Sequence, residues 1–249
     1  VDFMSMKDDT DDEDNGSGDE HEYGSVTDID GNLYKTIAIG EQVWMAENLR
    51  VTRYQDGSDI PTGLSDEEWD NTTNGAMAVY DHTHHLATHI RSEQEMEEAY
   101  GRLYNWYAVD NNPGLCPEGW SVPTDEEWAA LVAFVESQGF PNNRLDPDGA
   151  GNALKSRRQI DSPFGEPWAT DVHPRWRSDD RHHGKDTFGF SGLPGGFHSD
   201  ALGLFGYWWT SSEFVEESAW FRRLGYSTGF LDRVQFRKQY GMSVRCIQN

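Results

Sequence analysis

Apolar positions change their spacing several times along this chain, and each change marks an expected element. Residues 33–39 alternate, Gly40-Glu41 interrupts, and residues 42–45 resume, which predicts two strands joined by a tight turn. Ahead of them, Asp28-Ile29-Asp30-Gly31-Asn32 carries the Asp-Gly signature of a hairpin. Helical spacing follows. Ser65 with Glu68 opens a short helix around Trp69. Ser92 with Glu95 opens a second, whose stripe runs Met96, Ala99, Tyr100, Leu103, Tyr104 and Tyr107, with Gly101 expected to weaken it without breaking it. The third carries the fullest set of signals. Thr124 caps it, Asp125 and Glu126 suit its first turn, and Glu127 closes a capping box. Trp128, Leu131, Val132 and Val135 give it a buried face, Gly139 ends it, and Trp120-Ser121-Val122 before it reads as a short strand. Beyond Phe188 the chain turns to β structure, with strands expected over 207–211, 219–224, 230–236 and 242–247 and turns at Gly225, Gly229 and Gly241.

The first 23 residues stand apart as an extended acidic tail, ahead of a folded domain over 24–249. Asp8, Asp9, Asp11, Asp12, Glu13, Asp14, Asp19, Glu20 and Glu22 surround Asn15-Gly16-Ser17-Gly18, and Lys7 alone opposes them. Such a run repels itself and reads as a tether. Asp9, Asp11, Asp14 and Gly16 also offer calcium-loop chemistry, although their spacing departs from the EF-hand and no Glu closes the set. Val1, Phe3, Met4 and Met6 form a small apolar cluster that is expected to dock on a neighbouring chain, leaving 8–22 as a spacer.

Composition narrows the class. Of 249 residues, 36% are hydrophobic and 13% aromatic, and Gly is frequent at 25, so aromatics must supply much of a turn-rich core. A formal charge of −24 excludes a nucleic-acid partner and disfavours anionic lipid surfaces. No apolar run approaches the ~18 residues of a membrane span. The opening residues carry no signal-peptide core, so any targeting segment is expected to have been removed. Cys116 and Cys246 read either as two buried thiols in a cytosolic protein or as one disulfide in an exported one. The rest of the composition favours the disulfide.

Six ordered stretches identify a family. They are Val43-Trp44-Met45-Ala46-Glu47-Asn48-Leu49; Tyr100-Gly101-Arg102-Leu103-Tyr104-Asn105-Trp106; Cys116-Pro117-Glu118-Gly119-Trp120 with Val122-Pro123-Thr124-Asp125-Glu126-Glu127-Trp128; Phe190-Ser191-Gly192-Leu193-Pro194-Gly195-Gly196; Tyr207-Trp208-Trp209-Thr210-Ser211-Ser212-Glu213; and Gly241-Met242-Ser243-Val244-Arg245-Cys246. In this order they resemble the Fibrobacter succinogenes major paralogous domain, a family of bacterial surface and secreted domains, many of them on lipoproteins. The segment around Thr124 is also similar to the formylglycine-generating enzymes, which are related in fold to C-type lectins. The resemblance implies an α+β, C-type-lectin-like domain: two helices packed on twisted, mostly antiparallel sheets with long loops, and a final strand beside the N-terminal one. The sequence departs from the family pattern in two apparent insertions. Residues 80–100 carry His82, His84, His85 and His89, and residues 168–188 carry His173, His182 and His183.

The candidate chemistry is that of binding. If 86–90 were helical, His85 and His89 would lie one turn apart at a zinc-chelating spacing; loop histidines without metal are the simpler reading. Trp208 and Trp209 are strand neighbours and must point to opposite faces, so they cannot share one core. One is expected inside, and the other in a groove, under a loop or in solvent. An exposed indole beside Glu213 would be a sugar platform, and Trp176 (between Arg175 and Arg177) and Trp220 are further candidates. Asp146-Pro147-Asp148-Gly149-Ala150-Gly151-Asn152 reads as a turn before it reads as a calcium loop. The cysteine pair of the formylglycine-generating enzymes has no counterpart, and no hydrolase or phosphate motif is present. The expectation is therefore a non-enzymatic domain on a bacterial surface, extracellular or outer-membrane, with a lipid anchor as one means of attachment, that binds polysaccharide through loop aromatics and needs no cofactor unless it takes calcium. The alternative is a structural subunit that assembles with itself or with another surface protein, as a homo-oligomer or filament, through its tail.

Overall fold

A computed structural model describes residues 21–249. The calcium loop suggested at Asp9, Asp11, Asp14 and Gly16 and the docking expected of Val1, Phe3, Met4 and Met6 fall outside the described residues. His21 already belongs to the folded part, with Nε2 2.8 Å from the Asp186 carbonyl. Tyr23 packs on the core as well, so the folded domain includes residues ahead of Gly24.

The Asp-Gly turn closes as its sequence requires. Asp28 accepts the N–H groups of Asp30 and Asn32 at 2.9 Å each and the Tyr34 hydroxyl at 2.6 Å. It joins β1 (Gly24–Thr27) to β2 (Leu33–Ile39), and β2 turns back into β3 (Gln42–Met45). The family resemblance implies a last strand beside the N-terminal one, and here the structure differs. The short terminal strand Ile247–Gln248 pairs with β3 and with Trp120–Ser121, the strand expected before the third helix. Numbered along the chain these are β10 and β6, and the five-stranded antiparallel sheet runs β1-β2-β3-β10-β6.

Helix caps are where local signals and structure agree best. The Thr124 hydroxyl accepts the Glu127 N–H at 3.1 Å and the Glu127 carboxylate accepts the Thr124 N–H at 2.7 Å, opening the helix Asp125–Ser137, α4. Ser65 and Glu68 form the same box at α1 (Asp66–Asn71). The second expected helix stops early. It spans Glu93–Tyr100 (α2), because Gly101 adopts φ 75° and reverses the chain. A Cβ there would also lie 2.8 Å from the Leu49 carbonyl. Gly101 therefore breaks the stripe rather than weakening it. Leu103–Tyr104 becomes a strand, β5, paired with Met77–Ala78 (β4), and Trp106–Val109 forms a separate short helix, α3. Residues 146–152 are a turn leading into the short helix Ala150–Leu154, α5, with Asp146 accepting the Asp148 N–H at 2.8 Å and Asp148 paired to Lys185.

The second large sheet is β7 (Phe205–Val215), β8 (Ser218–Gly225) and β9 (Leu231–Arg237), in that order and antiparallel. It has a core on each face. Trp208, Leu224 and Leu231 pack with Trp44 and with Trp128 and Leu131 of α4. Trp209, Phe221 and Ala219 pack with Tyr104, Trp106 and Met242. The adjacent tryptophans do point opposite ways, and both are 0% exposed. The opposite faces follow from strand geometry. The burial of both follows from the sheet lying in the middle of the molecule.

Cys116 and Cys246 are joined, closing a loop 130 residues apart in sequence. In the chain-entropy model a closure of this length stabilises the fold by about 5 kcal/mol. Alkylation without reductant should label no thiol, and two labelled cysteines would contradict the bond. Thr124→Ala removes one half of the α4 box and should lower stability by about 1 kcal/mol in denaturant titration.

Candidate functional site

The two histidine-bearing insertions fold against each other. In the first, residues 82–89 form successive turns instead of a helix, and His89 takes φ 69°. His85 and His89 are thus not a helical chelating pair. His84 sits 3.1 Å from the Tyr80 hydroxyl, and His89 lies 3.6 Å from Asp171 of the second insertion. Among the described residues no three His, Cys, Asp or Glu side chains converge as metal ligands. In the second insertion the Tyr100 hydroxyl lies 2.5 Å from His173 Nδ1, and His173 Nε2 lies 3.1 Å from the Leu86 carbonyl. A carbonyl can only accept, so the Nε2 proton donates to Leu86 and Nδ1 accepts from Tyr100. Burial, with Arg175 nearby, pushes the His173 pKa down to about 4. His182 is buried too, its Nδ1 3.1 Å from the Asn152 amide.

The proposed sugar platforms mostly face inward. Trp176 is 1% exposed and donates to the Gly192 carbonyl at 3.1 Å. Its ring is covered by the buried Lys155 ammonium, 5.4 Å from the centroid. Trp208 donates to Asn48 Oδ1 and Trp209 to the Tyr104 carbonyl, each at 2.9 Å. All three indoles are therefore core anchors, which corrects their reading as candidate platforms. Trp220 alone of the four is half-buried, and it already has company: the Arg233 guanidinium is 3.5 Å from its centroid and Phe214 meets it edge-on at 4.7 Å. Glu213 is held by Lys238 at 2.6 Å. Irregular pairing of β7 with β8 between Trp209 and Glu213 ends the regular inward alternation there.

The better candidate is a cleft of about 330 Å³ between α1, β4 and the loop after Gly196. Leu64, Met77 and Tyr80 wall it, and Asp81, His82 and Glu93 stand at its rim. Its aromatic element is a pair: the His198 imidazole lies parallel to the Trp69 indole, centroids 4.4 Å apart and planes 4° apart. Gly241 makes room for that stack, since a Cβ there would come within 2.9 Å of the indole. His198 donates its backbone N–H to the Gly241 carbonyl at 3.0 Å, which fixes the ring's position. Burial lowers the His198 pKa, while Asp66 and Asp70 of α1 pull it back up. Trp69 is 2% exposed and its indole N–H is buried with no hydrogen-bond partner among the described residues. The sequence placed Trp69 only within a short helix, and it offered no signal for His198.

A family model, the Fibrobacter succinogenes major domain, matches residues 37–248. The chain belongs to this family. No curated protein and no solved structure matches it. Within this Fibrobacter succinogenes major domain the landmark residues Trp44, Trp106, Trp128, Trp208 and Arg245 are all buried. The recognised motifs build the scaffold, and the first insertion lines the cleft through Tyr80, Asp81, His82 and Glu93.

His173 supplies a pH test. Its folded pKa lies below the ordinary value near 6.5, so its contribution is fully present above ~6.5 and is lost as pH falls toward about 4. The fall in melting temperature over that interval should be smaller in His173→Gln than in the parent. Equal falls would show that His173 does not link the insertions to folding.

Proposed function

We propose that this domain is a non-enzymatic binding module of a bacterial surface, and that it holds a glycan in the cleft built on Trp69 and His198. The observation that carries the reading is the half-buried His198 imidazole, backed by the buried Trp69 indole, in a cleft rimmed by carboxylates. Sugar recognition uses this combination: an apolar ring face for the C–H side of a pyranose and polar groups at the edge for its hydroxyls. A cleft of about 330 Å³ has the volume of a small-ligand site.

Binding is favoured over hydrolysis by the electrostatics. A glycosidase needs one carboxyl whose pKa is raised so that it can act as acid. Asp81 at the rim is held low by hydrogen bonds from Thr83. Asp186 is raised by burial, but it is occupied by the Ser191 N–H and hydroxyl, away from the cleft.

The disulfide supports export, since such bonds persist in oxidising compartments. No helix among the described residues is long and apolar enough to cross a membrane, and in this reading the acidic tail serves as a tether to a lipid-anchored or otherwise surface-held protein. A C-type-lectin-like relationship is part of the same proposal. It is supported by α2 and α4 against antiparallel sheets, and by β6 leading straight into the α4 capping box.

An array of bacterial and plant cell-wall polysaccharides tests the reading. The intact protein should be retained by at least one glycan, and His198→Ala or Asp81→Asn should each abolish retention with little change in melting temperature. No retention of the intact protein, or undiminished retention of both variants, would overturn it.

A further inference from the structure

A second groove lies where the two insertions meet. Leu86, Ile160, Leu202 and Leu204 floor it, Arg175 and Arg177 line it, and its volume is about 280 Å³. Arg175 is firmly planted. Its Nε donates to the Asp171 carbonyl at 3.2 Å, its Nη2 to Thr88 Oγ1 at 3.4 Å, and its backbone N–H to the Tyr100 hydroxyl at 3.2 Å. Gly203 lets the guanidinium lie along the groove, since a Cβ there would stand 3.1 Å from Nη1. Arg177 is exposed, with its guanidinium 5.7 Å from the Tyr226 ring.

Neither guanidinium has a carboxylate within 4.0 Å among the described residues. The nearby Asp171 carboxylate stands against His89 instead. Residues 155–185 carry seven Lys and Arg against five Asp and Glu, so charge is locally inverted around the groove. An aliphatic floor beside unpaired cations fits an acidic ligand with apolar side chains. It offers a sugar only the His85 imidazole to stack on, with no indole or phenol in the lining. Its volume falls just under the range of sites that enclose a whole small molecule, which suits one or two anchoring side chains.

We propose that this groove binds residues 1–20 of a second copy of the chain. That stretch carries nine Asp and Glu and a single Lys, with Val1, Phe3, Met4 and Met6 clustered ahead of the acidic run. The apolar cluster matches the aliphatic floor, and the aspartates match Arg175 and Arg177. Twenty residues reach up to ~66 Å when extended, enough to leave one domain and engage a neighbour. The described chain enters at His21, against the Asp186 carbonyl and next to Lys185 of the second insertion. Donor segment and acceptor groove are different surfaces, so the contact is heterologous and propagates head to tail.

Sedimentation velocity on the full chain tests the proposal independently of any glycan. Association should rise with concentration, and a synthetic peptide of residues 1–20 should reverse it. The pair Arg175→Gln with Arg177→Gln should weaken it about tenfold. Replacing Asp8, Asp9, Asp11 and Asp12 by Asn should weaken it similarly while leaving the folded residues untouched, which guards against misfolding of the arginine variant. A chain that stays monomeric at all concentrations overturns the proposal. So does association that neither the peptide nor the two sets of substitutions affects. Retention on an acidic polysaccharide that depends on both arginines, with the full chain monomeric, would reassign the groove to an anionic glycan and also overturn it.

Discussion

The segment Gly241–Cys246 holds the sheets of this domain together, and the Arg245 guanidinium is its fixed point. Met242 pairs with Tyr104 of β5, Ser243 bonds to Tyr207 and Trp209 of β7, and Val244 accepts the Leu49 N–H. Cys246 accepts the Met45 N–H and carries the bond to Cys116. Between them Arg245 is 0% exposed, yet it gives hydrogen bonds to Asn48 Oδ1 and to the carbonyls of Phe190 and Ser191. Burial lowers its pKa to about 9, which still leaves it charged at neutral pH. A buried charge is tolerable only when its donors are met, and removing one partner of such a group costs several kcal/mol. The same Asn48 oxygen accepts the Trp208 indole, so one side chain positions both the cation and the central sheet.

This explains where the family's landmarks lie. Trp44 and Asn48 meet Phe190, Trp208 and Arg245 from distant parts of the chain: the Phe190 and Trp208 rings lie against the buried cation, Trp44 packs on Phe190, and Asn48 accepts from Arg245. Asp125 is a second such junction. It reads from sequence as a first-turn acid that favours the α4 dipole, and it also binds Arg222 and Arg233 at 2.7 Å each, locking α4 to β8 and β9.

What the sequence revealed and what it concealed divide along one physical line. Capping boxes at Ser65 and Thr124, the Asp28–Asn32 turn and the strands after Tyr207 depend on neighbours within a few residues, and they were legible. The end of α2 was misread because Gly101's positive φ is set by the Leu49 backbone, which lies far away in sequence. Trp176, Trp208 and Trp209 looked like platform candidates because sequence supplies strand alternation without saying how many layers cover a sheet. The candidate cleft was the least legible part. Trp69 and His198 are 129 positions apart, and their stack exists because Gly241, in the stitching segment, leaves space for the indole. No pattern in the His198 neighbourhood advertises this.

Both candidate surfaces hang on one post. Tyr100 closes α2, packs with Leu103 and Leu202, and sends its hydroxyl to His173 and the Arg175 N–H. His173 in turn reaches Leu86, which floors the arginine groove. Tyr80, which walls the cleft, belongs to the same packed cluster as Leu202, which floors the groove. The cleft is rimmed by carboxylates and the groove by guanidinium groups, so two surfaces of opposite charge share one support. Protonating His173 removes the acceptor for the Tyr100 hydroxyl and buries a cation beside Arg175. Its first effect therefore falls on the mounting of the insertions, and the Arg245 junction, held by carbonyls and Asn48, has no part in that titration.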